Sequence, residues 1–250
     1  MNTSATRPRR ARIAAALLVS ALLLLALTGC GSSSSSSKST SQGSSGNGVA
    51  AKSPEQIVAA AKAAADGAAT VHVNGSIVSE KKPISLNMEL VAGKGAKGHL
   101  SVEGLGIDVI EVEKAFYLNG SAAFYKHIGG DAAAQLLQGK WLKAPTSSGE
   151  FAQLAELTDL GRLLDHALTA HSGKLSRGQT ANVGGQQAVG ITDSAHDGTL
   201  FVATTGTPYP LQIAKSGKEG GKVTFDRWNE PVTLTPPPNA ININQLQSGH

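Results

Sequence analysis

The sequence has one cysteine, Cys30, and only 4% aromatic residues. A lone cysteine rules out an intrachain disulfide and any zinc site built from a cysteine cluster, so the fold must stand on its core. Acidic residues are missing from the first 29 positions, where Arg7, Arg9, Arg10 and Arg12 supply the only formal charge. Setting those four aside leaves 18 of the 22 basic residues against 18 acidic ones, so the remainder of the chain is formally neutral. Its lysines and arginines are interspersed with acids. That argues against nucleic-acid binding, which needs a concentrated basic surface to displace counterions from phosphates.

Also missing is an apolar run long enough to span a bilayer. The run Ile13 to Leu27 is about 15 residues, short of the ~20 that a helix needs to cross hydrocarbon. A basic stretch, an apolar stretch and then the small residues Thr28 and Gly29 form a secretory leader, and Leu27-Thr28-Gly29-Cys30 matches the bacterial lipobox. Residues 1–29 are therefore expected to be a cleaved signal peptide, and Cys30 the lipidated residue. Two acyl chains on that cysteine, each worth about 0.8 kcal/mol per buried methylene, would hold the protein stably at the extracytoplasmic face of the cell membrane. Whether export follows the general or the twin-arginine route is left open by Arg9-Arg10.

Residues 31–48 are nearly all Ser and Gly, too polar to offset the entropy of ordering. Together with Cys30 they form an expected tether, residues 30–51, with a root-mean-square reach of roughly 20 to 25 Å for the Ser/Gly stretch. One domain is expected over 52–246, about 195 residues, enough to bury roughly 70% of its unfolded surface. Residues 247–250 are a tail.

Within the domain, Ser53-Pro54-Glu55-Gln56 reads as a capping box with proline at the first helical position, opening a helix over 54–66. Its apolar positions Ile57, Val58, Ala61, Ala64 and Ala65 recur at helical spacing. The period then falls to two. Val71, Val73, Gly75 and Ile77 share one face, as do Ile84, Leu86, Met88, Leu90 and Ala92, which marks antiparallel strands with one buried side. Further strands are predicted near 97–104, 107–112 and 115–118. A helical middle follows at 131–138, 149–157 and 159–170, interrupted by an extended piece from Trp141 to Pro145. Leu154, Leu157, Leu160, Leu163, Leu164, Ala167 and Leu168 make a leucine face. Strands return at 174–182, 186–193, 198–205, 209–216, 221–228 and 231–234. This segregation of strands and helices predicts an α+β fold with a large antiparallel sheet.

Catalytic signatures do not emerge. There is no Gly-x-Ser-x-Gly elbow, no His-Glu-x-x-His and no phosphate-cradling glycine loop. His72, His99, His127, His166, His171 and His196 are scattered, and Glu111 with Glu113 reads as a solvated strand end beside Lys114. An enzyme is not the expectation, no cofactor or metal is implied, and a hydrolase with an unusual site stays a distant alternative.

Several segments resemble the LppX/LprG-type lipoproteins of actinobacterial envelopes: Ala115 to Gly120, Gly139-Lys140-Trp141-Leu142-Lys143, Thr199 to Val202, Tyr209 to Ile213, and Phe225 to Val232, followed by Pro236-Pro237-Pro238. The resemblance implies a strongly curved, half-open antiparallel sheet wrapped around α-helices on its concave face, similar to LolA and LolB. It also implies a cavity that receives acyl chains of lipids or glycolipids and carries or presents them in the envelope, with a membrane transporter as a further candidate partner. The residues singled out for lipid contact are Ile77, Leu86, Met88, Leu90, Leu100, Val102, Ile107, Val109, Leu157, Leu160 and Leu164. Taken singly, each reads first as ordinary core and second as a lipid contact, and Trp141 and Trp228 read as packing anchors. The alternative is an envelope structural or interaction lipoprotein whose core is filled by its own side chains.

Overall fold

The computed structural model describes residues 46–79, 81–146, 158–169, 173–195, 197–218 and 220–247. Gly43–His250 forms a unit by itself, and everything below concerns that unit. Cys30, the predicted helix 149–157 and Leu157 lie outside the described residues, as do the side chains of His166, His171 and His196.

A short turn of 3-10 helix at Val49–Ala51 leads into α1, Pro54–Asp66. Its N-terminus is capped as the sequence predicts. The Gln56 backbone N–H donates to Ser53 Oγ at 3.3 Å, and the Ser53 N–H donates to Gln56 Oε1 at 3.1 Å, so two orphan donors of the first turn are satisfied. Ile57, Val58, Ala61 and Ala65 are buried along one stripe.

The first meander is β1 Thr70–Ser79, β2 Lys82–Val91, β3 Gly95–Val102, β4 Leu105–Val112, β5 Ala115–Gly120 and β6 Leu142–Pro145. The second is β7 Leu175–Val183, β8 Gln186–Asp193, β9 Gly198–Ala203, β10 Pro210–Lys215 and β11 Gly221–Asp226. Antiparallel pairing of β1 with β11 fuses the two meanders, with Val73 opposite Phe225. A last short strand, β12 Ile241–Asn242, lies parallel to β6. The result is one open sheet of twelve strands in the order β12-β6-β5-β4-β3-β2-β1-β11-β10-β9-β8-β7. Left-handed residues close its tight hairpins, as at Gly184 (φ 57°) and Gly185 (φ 84°); this is the two-residue geometry whose twist matches the strands.

The described residues include three further helices: α2 Ala122–Leu137, α3 Leu160–Thr169 and α4 Ile243–Gln247. The α2 segment departs from the expected helix 131–138 by beginning nine residues earlier. Ser121 Oγ caps it by accepting the Phe124 N–H at 3.1 Å, and Gly130, at φ 74° and ψ −171°, breaks it into two halves.

The predicted strand at 231–234 does not form. Residues 230–240 run without a ladder as a strap over the outer face, with the Lys97 ammonium donating to Thr233 O at 3.1 Å. Leu234 and Ala240 pack there on Val112, Ala115 and Tyr117, together with Ile110 and Trp141. Pro231 and Pro236 to Pro238 have no N–H to give a ladder, which favours extended backbone laid over the sheet instead of a further paired strand. The strap is fastened at its start, where Asn229 Oδ1 accepts the Ala69 N–H at 2.7 Å, and at its end, where the Ile241 N–H donates to Trp141 O at 2.8 Å.

Candidate functional site: an apolar trough with one open end

Alternation along the strands sends two rows of side chains in opposite directions. The inner row of β1 to β5 carries Val71, Val73, Leu90, Met88, Ala96, Leu100, Ile107, Val109, Phe116 and Leu118, all buried in one apolar cluster. Ala65 of α1 and Leu160 and Leu164 of α3 belong to the same cluster, with Leu163 partly buried against it, so these three leucines of the predicted face pack on the sheet. A second cluster joins Ile57, Val58 and Ala61 of α1 to Leu175, Val189, Ile191 and Val202. Lys62 ties the two helices at the surface. Its ammonium lies 2.9 Å from Asp66 and 2.5 Å from Asp165, and those two carboxylates, Asp165 first, raise its pKa above the usual lysine value.

Burial falls steadily from one end of the inner face to the other. Along β1, exposure rises from 1% at Val71 to 36% at Ile77; along β3 it rises from 0% at Ala96 through 5% at Leu100 to 37% at Val102. On β2 the sequence is Leu90 and Met88 buried, then Leu86 and Ile84 half-buried. The register places these trends side by side, because Ile77 faces Ile84 and Ile84 faces Val102. The trough is thus closed where the β2–β3 and β4–β5 turns lie and open at the tips of the β1–β2 and β3–β4 hairpins. Gly98 sits on this inner face. A Cβ there would meet Asn87 O at 2.2 Å and the Met88 sulfur at 2.8 Å, so the flexible thioether fills the space a side chain would take.

The eleven residues anticipated for lipid contact therefore divide. Met88, Leu90, Leu100, Ile107, Val109, Leu160 and Leu164 are packed against protein with at most 6% exposure. Leu86 is half-buried, Ile77 and Val102 form the open lip, and Leu157 lies outside the described residues. Ile84 and Leu105, which share the half-buried zone, were not singled out from the sequence, although the period-two pattern already places Ile84 on the inner face.

The α2 segment stands over the same open end. The Ser121 N–H donates to Gly106 O at 2.9 Å, the Gly120 N–H donates to the Tyr125 hydroxyl at 2.9 Å, and that hydroxyl donates to Lys140 O at 3.3 Å. Both ends of α2 are thereby tied beside the open ends of β4, β5 and β6. Desolvation raises the Tyr125 pKa, partly offset by the Gly120 N–H. Tyr125 is the single fully buried side chain of α2, with Phe124, Ala134 and Leu137 half-buried beneath it and Ile128 and Leu136 exposed at 59% and 57%.

Away from the strap, the outer face of β1 to β4 is polar. His72 Nδ1 is 2.6 Å from Asp226 Oδ1, and its Nε2 is 2.9 Å from Asn87 Oδ1, so both ring nitrogens are engaged. Glu89 bridges Lys97 at 3.2 Å and Arg227 at 3.1 Å, and His99 Nδ1 is 2.8 Å from Asp108. A shallow groove of about 510 Å³ runs between these groups and Trp141. Glu111 ends the inner row of β4 and accepts the Thr158 hydroxyl, whereas Glu113 occupies the following turn at φ 55°, so the two do not form a carboxylate pair. Among the described residues no cluster of three or more His, Cys, Asp and Glu side chains gathers for a metal, and no helix is long and apolar enough to cross a membrane. Trp228 stacks on Tyr209 with ring centroids 4.5 Å apart and planes within 3°, the packing role expected of it.

No family model matches the chain, and no curated protein is similar to it in sequence. Solved structures do match. LprF from Mycobacterium bovis superposes with a TM-score of 0.53 at 14% identity, over 74% of this chain and 96% of that one. The fold is that of LprF. The Mycobacterium tuberculosis lipoprotein LppX aligns at 16% identity over 72% of this chain and 99% of its own, with a TM-score of 0.48. The LprF-type fold agrees with the α+β, half-open sheet implied by the resemblance read from the sequence. It differs from that expectation in one respect: the β6–β12 pair is parallel, making the sheet mixed.

Proposed function

We propose that this protein is an exported lipoprotein, held to the membrane through Cys30, that binds acyl chains of lipids or glycolipids and carries or presents them in the cell envelope without catalysing a reaction. The observation that carries this reading is the burial gradient along the inner face, which leaves accessible apolar surface at one end only, between Ile77, Leu86 and Val102. An acyl chain laid there would recover about 25 cal/mol for each Å² of apolar surface it removes from water. The α2 segment, broken at Gly130 and fully burying one side chain, is the element whose displacement would lengthen the trough toward Met88 and Leu100. The half-open sheet is the architecture in which the family resemblance read from the sequence implies an acyl-chain cavity, which supports the reading by analogy of fold.

A second reading, an envelope scaffold on the same fold, is favoured by the close packing of the inner half, where seven anticipated contact residues touch protein instead of open space. Purification without detergent from an actinobacterial host, followed by lipid mass spectrometry, separates the two. Stoichiometric lipid is the expected result; absence of lipid together with no uptake of added glycolipid would leave only the scaffold. Cys30→Ala should release the protein from membranes, and retention after that change would count against the anchor.

A further inference from the structure

The described residues expose four large hydrophobic side chains, Ile77, Val102, Ile128 and Leu136. Two end the inner rows of β1 and β3, and two lie on α2, whose ends are both fixed at the open ends of β4, β5 and β6. Aliphatic side chains exposed in this way can enter a fluid apolar phase, which needs no matching pit.

The charge around the mouth has a matching bias. The β1–β2 tip and its neighbour, the β10–β11 tip, are joined by the Val78 N–H donating to Gly220 O at 3.0 Å. Residues 79–82, 102–105 and 215–222 together hold five lysines against three glutamates, in a chain that is balanced overall once its first 29 residues are set aside. Lys82 pairs with Glu103 at 3.4 Å, while Lys81, Lys215, Lys218 and Lys222 have no ion pair among the described residues. Exposed aliphatic side chains interleaved with unpaired ammonium groups are what an anionic lipid surface attracts, the lysines through the surface potential and the aliphatics by insertion between headgroups.

We infer that the open rim of the trough docks onto an anionic bilayer surface, with Ile128 and Leu136 entering the headgroup layer and the lysines of the two tips resting on lipid phosphates. Docked in this way, the mouth faces the hydrocarbon, and an acyl chain passes between bilayer and trough without crossing water. This rests on the acyl-binding reading above.

The test uses the self-contained unit Gly43–His250, which carries neither the leader nor Cys30, in flotation with phosphatidylcholine vesicles with and without phosphatidylglycerol. Binding should require the anionic lipid and weaken with salt. Ile128→Ser with Leu136→Ser should lower it about tenfold, and Lys81→Glu with Lys218→Glu by a similar factor, with unfolding curves unchanged because all four side chains are exposed. Equal binding to both vesicle types, or rim variants that bind like the parent, would overturn the proposal. So would a dimer in sedimentation that the two serine changes dissolve, which would assign the rim to a second copy of the chain. A fluorescent fatty acid added in parallel separates the two claims. Fatty-acid uptake without vesicle binding rejects docking and leaves the trough; vesicle binding without fatty-acid uptake keeps docking and rejects the trough.

Discussion

The two ends of one apolar face behave as different materials. At the closed end, Leu90, Ala96 and Phe116 are each 0% exposed, locked beneath α1 and α3; at the open end Ile77 and Val102, on the same strands or their neighbours and of the same chemistry, keep more than a third of their surface. Hydrophobic character alone does not distinguish stability from binding. What decides is how far the surrounding chain covers each position: Ala65, Leu160 and Leu164 of α1 and α3 pack in the cluster that holds Leu90, Ala96 and Phe116, whereas Ile77 and Val102 lie outside it.

The sharpest contrast is mutational. Leu90→Ala should cost about 2 to 5 kcal/mol, since it deletes methylenes from a site that cannot collapse, while Ile77→Ala should stay within about 1 kcal/mol; urea unfolding of both variants measures the difference. A similar loss in the two would erase the distinction between the ends.

Tyr125 links them. Tyr125→Phe leaves the buried Gly120 N–H without its acceptor and should cost about 1 to 3 kcal/mol by the same method. Its raised pKa also fixes a sign. A phenol that ionises less readily in the folded state than in the unfolded one contributes stability that is fully present below the ordinary tyrosine value of 10.0 and is lost as pH rises through the folded pKa. Stability should therefore fall above pH 10.0, and by less in Tyr125→Phe.

At the closed end, Ser53→Ala should lower stability by about 1 kcal/mol through loss of the capping box, read by thermal unfolding. Lys62→Met should leave it nearly unchanged by the same measurement, because the Lys62 bridge between α1 and α3 is solvated.

Local signals made much of this legible in advance. The capping box from Ser53 to Gln56 and the alternation over Val71 to Ile77 and again over Ile84 to Leu90 each depend on near neighbours in the chain, and each element formed where they placed it. The misses depend on distant partners. Residues 231–234 have strand composition, yet the sheet beneath them was already paired, which only the completed topology reveals. The first half of α2 was hidden by Gly129-Gly130, which reads as a boundary although Ser121 supplies a cap and Tyr125 a buried anchor. At the site, alternation identified the inner face, but it could not say which part helices would cover, so Leu90 and Val102 looked alike.

The account stands or falls on whether the uncovered end takes the ligand. Titration of an environment-sensitive fluorescent fatty acid into the parent and into Leu86→Trp tests this directly, since the indole would fill the half-buried zone without disturbing the packed end. The predicted result is a dissociation constant raised about tenfold or more, equivalent to a loss of about 1.4 kcal/mol, with the urea midpoint unchanged. Unaltered affinity in Leu86→Trp would contradict it.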